Sequence, residues 1–332
     1  MLGAGAFFVA APTARRAPAV ELGHVVVLAG GLSYEREVSL RSGRRVTDAL
    51  RALDIPVELR DADATLLDSL ADDPPDAVFP VLHGAAGEDG SIRDVLDLLD
   101  VRYVGARADA CRVAWDKPTA KSVVRQADLR TPDSVALPKE VFHDLGAASV
   151  LDQIIRGLGL PLFVKPTRGG SALGASVVHE PSELSAAMVG CFAYGDAALV
   201  ERYVEGTEIA VSVIERHGNP QALPAVEIVA PGGRYDYTAR YDAGDTEFVT
   251  PARLTPDAAD RATAAAVTAH RALGLRDLSR TDLIVDADGE VHFLEVNVAP
   301  GMTETSLLPR AVSVAGLDLG EVCRDLLLAQ FA

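Results

Sequence analysis

The sequence predicts a mixed α/β protein, opening with a parallel-sheet unit and continuing into α+β regions. Three observations lead there. From His24 to Val104, short apolar strands alternate with helical stretches, the pattern of a parallel sheet with crossover helices. Between Pro161 and Val178 a short strand runs into a glycine-rich loop and then resumes as strand. Between Arg280 and Asn297 two alternating apolar runs flank Asp288-Gly289, a strong signal for a two-residue hairpin. A chain of 332 residues is too long for one ordinary core and fits two or three domains.

The first element is a tail, residues 1–22. Its apolar run, Leu2 to Ala11, lacks the basic start of a secretory signal and is too short to span a bilayer. It reads as disordered or as a start-site artefact, with a signal peptide as the alternative. Next come a strand at His24–Ala29, a turn at Gly30-Gly31, a helix from Val38 to Leu53 and a strand at Val57–Leu59. A strand at Ala77–Leu82 ends at His83 and the loop Gly84–Gly90, and ligands in open α/β sheets bind at that edge. His83 by itself is equally a satisfied structural histidine. A helix over Ser91–Leu99, a strand at Tyr103-Val104 and a helix over Asp109–Gln126 follow.

The strand Pro161–Val164 delivers Lys165 just before the loop Thr167–Gly174. Glycine-rich loops are mostly plain turns; a lysine projecting from a strand just before one is more specific, because backbone N–H groups can wrap phosphate oxygens while the ammonium neutralises them. No GxxxxGK[ST] occurs, and Gly3-Ala-Gly5 does not continue into GxGxxG. Ala198–Val213 reads as two strands joined by a turn. Glu201 and Glu208, at strand ends, suit the exocyclic amine of a purine and a ribose hydroxyl pair, or are ordinary solvated acids. Tyr235–Tyr241 is strand and loop, Pro256–Leu273 a helix, and Leu319–Leu328 a closing helix.

The hairpin carries the chemistry. With a two-residue turn, partner numbers sum to a constant, placing Asp282 opposite Glu295 and Arg280 opposite Asn297. Two carboxylates about 5 Å apart at Cβ destabilise a sheet. Asn297 shares the face of Glu295, so three oxygen donors gather beside a guanidinium, and a hard divalent cation resolves the repulsion. The alternative is an exposed hairpin with its acids in water. Against it, Leu283, Val285, Phe293 and Val296 fall on the other face and bury it, and Pro300-Gly301 leaves a backbone N–H free for a ligand. One more loop residue would break the pairing.

The chain is 48% hydrophobic and 24% charged, the balance of a soluble globular protein, with a formal charge of −17. That field repels phosphate backbones and argues against nucleic acid as a partner. Three widely spaced cysteines without a CxxC pair exclude a disulfide framework or zinc cluster and suit a reducing cytosol.

Five blocks in order resemble the ATP-grasp superfamily, and within it the D-alanine-D-alanine ligase family: Gly30-Gly-Leu-Ser-Tyr-Glu35-Arg-Glu-Val-Ser-Leu, His83-Gly-Ala-Ala-Gly-Glu-Asp-Gly90, Lys165-Pro-Thr-Arg-Gly-Gly-Ser171, Tyr235-Asp-Tyr with Arg240-Tyr241, and Glu295-Val-Asn297-Val-Ala-Pro-Gly301-Met-Thr. The resemblance runs from about residue 24 to the end. It implies a Rossmann-like parallel-sheet domain (23–113) followed by an ATP-grasp fold of two α+β domains (114–200 and 201–332). It implies ATP held by Lys117, Lys165, Ser171, Glu201, Val204 and Glu208. Two magnesium ions, or manganese, would lie on Asp282, Glu295 and Asn297.

The implied reaction joins two D-alanine molecules through an acyl phosphate, for peptidoglycan precursors, in the cytoplasm, by a homodimer with no nucleic-acid or membrane partner. Glu35, helped by His83, would take the first ammonium. Arg280 and the Gly301 N–H would stabilise the oxyanion. Ser306, with Leu307, would take the second carboxylate, and Ser171 with Tyr241 would link Glu35 to a closing loop. Arg240 stands where the family usually has lysine, Ala172 where serine is common, Gly169 where glutamate is, and Val298 where threonine is. These departures keep a D-alanine-D-serine or other D-amino-acid ligase open. A non-catalytic ATP sensor would have lost a metal ligand or Arg280, and both are kept.

Overall fold

The computed structural model describes residues 22–216, 218–230 and 246–331. Strand β1 (Val25–Ala29), helix α1 (Arg36–Arg51), β2 (Val57–Asp61), α2 (Leu66–Asp72) and β3 (Ala77–Pro80) form the opening unit. The strands run parallel in the order β2-β1-β3, and Tyr103 joins only as a bridge to Val78. Helix α1 lies close on β1 because Gly43 has no side chain; a Cβ there would sit 2.6 Å from that of Ala29. The contact buries the hydroxyls of Ser39 and Ser42 at the sheet edge.

Helices α3 (Ala85–Glu88) and α4 (Ser91–Leu98) follow. The single helix expected over Asp109–Gln126 is two, α5 (Ala108–Trp115) and α6 (Lys117–Gln126). Asp116 leaves the helical region at ψ 98° and its side chain caps the N–H of Thr119. Pro118 then sits in the first turn of α6, where an N–H has no partner to lose.

Strand β4 (Ser134–Pro138), α7 (Lys139–Asp144), α8 (Ala147–Leu158), β5 (Leu162–Pro166), β6 (Ser176–Val178), α9 (Leu184–Phe192) and β7 (Ala197–Arg202) build an antiparallel sheet ordered β4-β7-β5-β6. Val150, Ile154 and Leu158 recur every four residues on α8 and pack on it with Leu184 and Met188 of α9. The next strand, β8 (Thr207–Arg216), was expected to neighbour β7 across a turn, but it enters another sheet. Both edges of β7 are already taken by β4 and β5, while β8 pairs along eight residues with a strand far along the chain.

That third sheet adds β9 (Asn219–Ala222), β10 (Val226–Val229), β11 (Glu247–Val249) and, after α10 (Pro256–Ala272), β12 (Leu278–Val285) and β13 (Val291–Asn297). Its order is β11-β10-β8-β12-β13, with β9 on β8. Helices α11 (Leu307–Val314) and α12 (Leu319–Leu328) end the chain. Their apolar residues share one core with β1, β3 and α1.

The hairpin β12-β13 reaches the expected pairing by another route. The Gly289 N–H donates to Asp286 O at 2.9 Å and that of Asp286 to Glu290 O at 3.0 Å, so the loop is Ala287-Asp288-Gly289, with Gly289 at φ 76°. Pairing next to it runs Val285 with Val291 and Leu283 with Phe293; a bulge at Leu294 then sets Asp282 opposite Glu295 and Arg280 opposite Asn297. The longer loop alone would have put Leu294 opposite Asp282, and the bulge cancels it. The bulge also moves Phe293, which strict alternation would place beside Glu295, to the core with Leu283, Val285 and Val296.

Candidate active site

Alternation along β12 puts Arg280 and Asp282 on one face. The guanidinium grips its neighbour in two bonds, Nε to Oδ1 at 2.7 Å and Nη2 to Oδ2 at 2.9 Å. Glu295, across the pair, lies 3.6 Å from the Lys117 ammonium at the start of α6, which also donates to Gly169 O at 2.6 Å. Two cations thus balance the two acids. Asn297 lines the same cavity, with Oδ1 also accepting the Ala299 N–H at 2.8 Å. Two carboxylates in register with an amide oxygen beside them form a hard-oxygen donor set that fits a divalent cation.

A second cavity lies between the two antiparallel sheets. Phe163, Ile284 and Leu294 give it apolar walls, and Lys165, Glu201, Val204 and Glu208 line it with the glycine-rich loop. The Glu201 carboxylate is buried and clamped by two ammoniums, Lys165 at 2.9 Å and Lys121 at 2.5 Å. Lys121 was not foreseen. It is fully buried beneath the cavity and donates to Thr131 Oγ1 at 2.6 Å. Its signal was its place four residues after Lys117, on the same helical face. Burial pulls the Lys121 ammonium down to about 8 against the pull of Glu201. Burial would raise Glu201, but the two lysines outweigh it and hold the carboxyl below its ordinary value.

The first cavity is walled by the other expected residues. The Ser171 hydroxyl, on a residue held at φ 56°, donates to Glu35 Oε1 at 2.6 Å, joining the glycine-rich loop to the start of α1. Ser306 stands at the N-terminal boundary of α11 but turns its side chain away from the helix; its Oγ accepts the Thr303 N–H at 3.0 Å and lies 2.7 Å from where a side chain on Gly301 would begin. Leu307 lines the same wall. His83 is buried with both nitrogens engaged, Nδ1 at 3.1 Å from Ala299 O and Nε2 at 3.4 Å from Ser42 Oγ. Tyr235, Arg240 and Tyr241 lie outside the described residues.

Glu88 adds a buried acid that had been assigned no role. Its Oε1 accepts the Gly84 N–H at 2.9 Å, and burial, with the charge of Glu35, pushes its carboxyl up to about 8. The folded chain keeps a proton that the unfolded chain releases near 4.5. Stability from this group is therefore full below pH 4.5 and lost as pH rises to about 8. Glu88→Gln should flatten that decline and raise the ligand-free Tm at pH 8 by at least a few degrees; equal pH slopes in the two proteins would refute the assignment.

The two cavities meet at a common wall formed by Lys117, Gly169, Gly170, Asp282 and Glu295. Phosphates held on one side and a carboxylate held on the other would touch there.

A family model described as D-ala D-ala ligase C-terminus matches residues 123–328, and one described as D-ala D-ala ligase N-terminus matches residues 62–106. The D-alanine--D-alanine ligase of Anaeromyxobacter dehalogenans is 40% identical over 91% of this chain and 95% of its own length. Among solved structures, the D-alanine--D-alanine ligase of Bacillus anthracis complexed with ATP is 26% identical at a TM-score of 0.76, covering 93% of this chain and 97% of that one. The VanG D-Ala:D-Ser ligase of Enterococcus faecalis is 27% identical at a TM-score of 0.80, covering 94% and 100%.

Proposed function

This chain belongs to the D-alanine-D-alanine ligase family, and on that premise we propose how its residues join two D-alanine molecules. It is an ADP-forming ligase whose product is D-alanyl-D-alanine. The observation that supports the route is the shared wall, where the acid pair and Lys117 border both cavities.

ATP occupies the cavity between the antiparallel sheets. The apolar walls take the adenine, with Glu201 and the linker at Val204 reading its edge and Glu208 the ribose. Lys165 and Lys117 neutralise the phosphates. Magnesium, held by Asp282, Glu295 and Asn297, would supply charge neutralisation to the transferring phosphoryl group. The first D-alanine sits in the other cavity with its ammonium at Glu35. Its carboxylate attacks the γ-phosphorus, ADP leaves, and the amine of the second D-alanine attacks the acyl phosphate to release phosphate. Arg280 and the Gly301 N–H face the oxygen that becomes negative, and Ser306 with Leu307 receives the second carboxylate. Such chemistry is mostly positioning and electrostatics. Arg240 and Tyr241 belong, in this reading, to the loop that closes over the site.

We assign three domains, 23–113, 114–200 and 201–332, each built on one sheet with the last two residues of β7 crossing the second boundary, and place the reaction in the cytoplasm as the supply of dipeptide for peptidoglycan precursors, carried out by a homodimer. Among the described residues no helix is long and apolar enough to cross a membrane.

The test is phosphate release from ATP and magnesium with D-alanine alone, with D-alanine plus D-serine, and with D-alanine plus D-lactate, identifying each product by mass. Dipeptide from D-alanine alone is expected. Release only with a mixed pair would move the second substrate, the reading favoured by likeness to the D-Ala:D-Ser ligase fold, and silence in every arm would overturn ligation.

A further inference from the structure

We propose that Ser42 and His83 are positioning residues that hold the Ala299–Thr303 turn so that the Gly301 N–H points at the reacting carbonyl. The proposal rests on the reading above, in which that N–H stabilises the oxyanion.

The donors and acceptors admit one consistent direction. Ala299 O can only accept, so His83 Nδ1 carries the proton across the 3.1 Å contact. A neutral ring then has an accepting Nε2, 3.4 Å from Ser42 Oγ. The same hydroxyl oxygen receives the Met302 N–H at 3.0 Å. The relay therefore runs from Met302 N–H to Ser42, from the Ser42 hydroxyl to His83, and from His83 to Ala299 O. It starts and ends on peptide groups flanking Pro300-Gly301. Both side chains are buried, and burial lowers the His83 pKa, favouring the neutral ring that the relay needs. One turn further along α1, the Arg45 guanidinium donates to Thr303 O at 2.5 Å.

This grip comes from outside the sheet that carries the acids. Strand β13 ends at Asn297, so the turn beyond it has no ladder to fix it, and it contains a proline without an N–H and a glycine with a wide choice of backbone angles. Displacing a reacting group by about 1 Å can cost about a hundredfold in rate. With both ring nitrogens committed to this relay, the contribution of His83 runs through the turn.

The test is Ser42→Ala, which removes the relay and leaves Gly301, Arg280 and Ser306 in place. Wild type is assayed in parallel with ATP, magnesium and D-alanine; if it makes no dipeptide, the ligation reading fails independently of the relay. With active wild type, kcat of the variant should fall roughly tenfold to a hundredfold, with the KM for ATP within about twofold. Affinity for a phosphinate dipeptide analogue, tetrahedral where the oxyanion forms, should fall by the same factor as kcat. Ser42→Thr, which keeps the hydroxyl, should recover much of the loss. Unchanged kcat and phosphinate affinity would overturn the proposal, as would equal weakening of ATP, which marks general loosening. If Ser42→Ala does not fold, His83→Asn, lacking any group at Nε2, should give the same split, and normal phosphinate affinity there would overturn it.

Discussion

Asp282→Asn should cut the rate of dipeptide formation by about a thousandfold, several kcal/mol of transition-state stabilisation at about 1.4 kcal/mol per tenfold. The substitution keeps size and one oxygen, so a purely structural role would survive it. Two losses combine. The donor set that fits a cation drops from two carboxylates to one, and Arg280 loses the carboxylate that fixes its guanidinium in two bonds of 2.7 and 2.9 Å. Titrating magnesium separates them: a rate that recovers at high concentration marks weakened metal affinity, whereas a rate that stays low marks a misplaced Arg280. Full turnover in ordinary magnesium would sink both roles.

Lys121→Met should raise the KM for ATP by roughly tenfold to a hundredfold and lower Tm, with kcat at saturating ATP changed far less. Methionine fills similar space but leaves the buried Glu201 carboxylate with Lys165 alone. Breaking a buried ion pair costs about 3–5 kcal/mol where no second partner exists, and Lys165 at 2.9 Å keeps the loss below that. Without its second cation Glu201 draws Lys165 toward itself and away from a bound phosphate. Adding Glu201→Gln should restore stability relative to Lys121→Met alone, because the uncompensated charge goes with its partner. The wild-type KM for ATP should also climb as pH passes about 8, where Lys121 loses its proton, and the variant should lack that rise. A variant with ordinary ATP affinity and a wild-type pH profile would reduce Lys121 to a packing residue.

The acids of the hairpin were legible because their position is set by parity. Asp282 and Glu295 can face each other only when the unpaired residues between them, loop and bulge together, are even in number. A two-residue turn and a three-residue loop with one bulge give the same answer. What separates the two solutions is which face Phe293 takes, and packing against Leu283 and Val296 decides that. Lys121 and Ser42 were not legible in the same way. Each acts through a partner distant in the chain, Glu201 in one case and the Ala299–Met302 turn in the other; the four-residue spacing from Lys117 puts Lys121 on the right helical face but does not name its partner, and Ser42 has no such signal. The separation of β7 from β8 was missed for a related reason. A four-residue link between strands reads locally as a hairpin, and only the prior occupation of both edges of β7 forbids it.

That separation has a topological consequence. Ser134, where the chain enters the four-stranded sheet, is paired directly with Glu201, beside its exit. Residues 134–202 are therefore threaded in and out through a single doorway about the width of two neighbouring strands, roughly 5 Å. A segment mounted this way has its two chain connections at one place, so a replacement from a relative must match one spacing at its ends and the few contacts its loop makes outside, such as Ser171 with Glu35 and Gly169 with Lys117. Glu201 stands at that doorway and Val204 just beyond it, so recombination across it would exchange the glycine-rich loop and Lys165 while leaving Lys117 and the acid pair of the other sheet where they are.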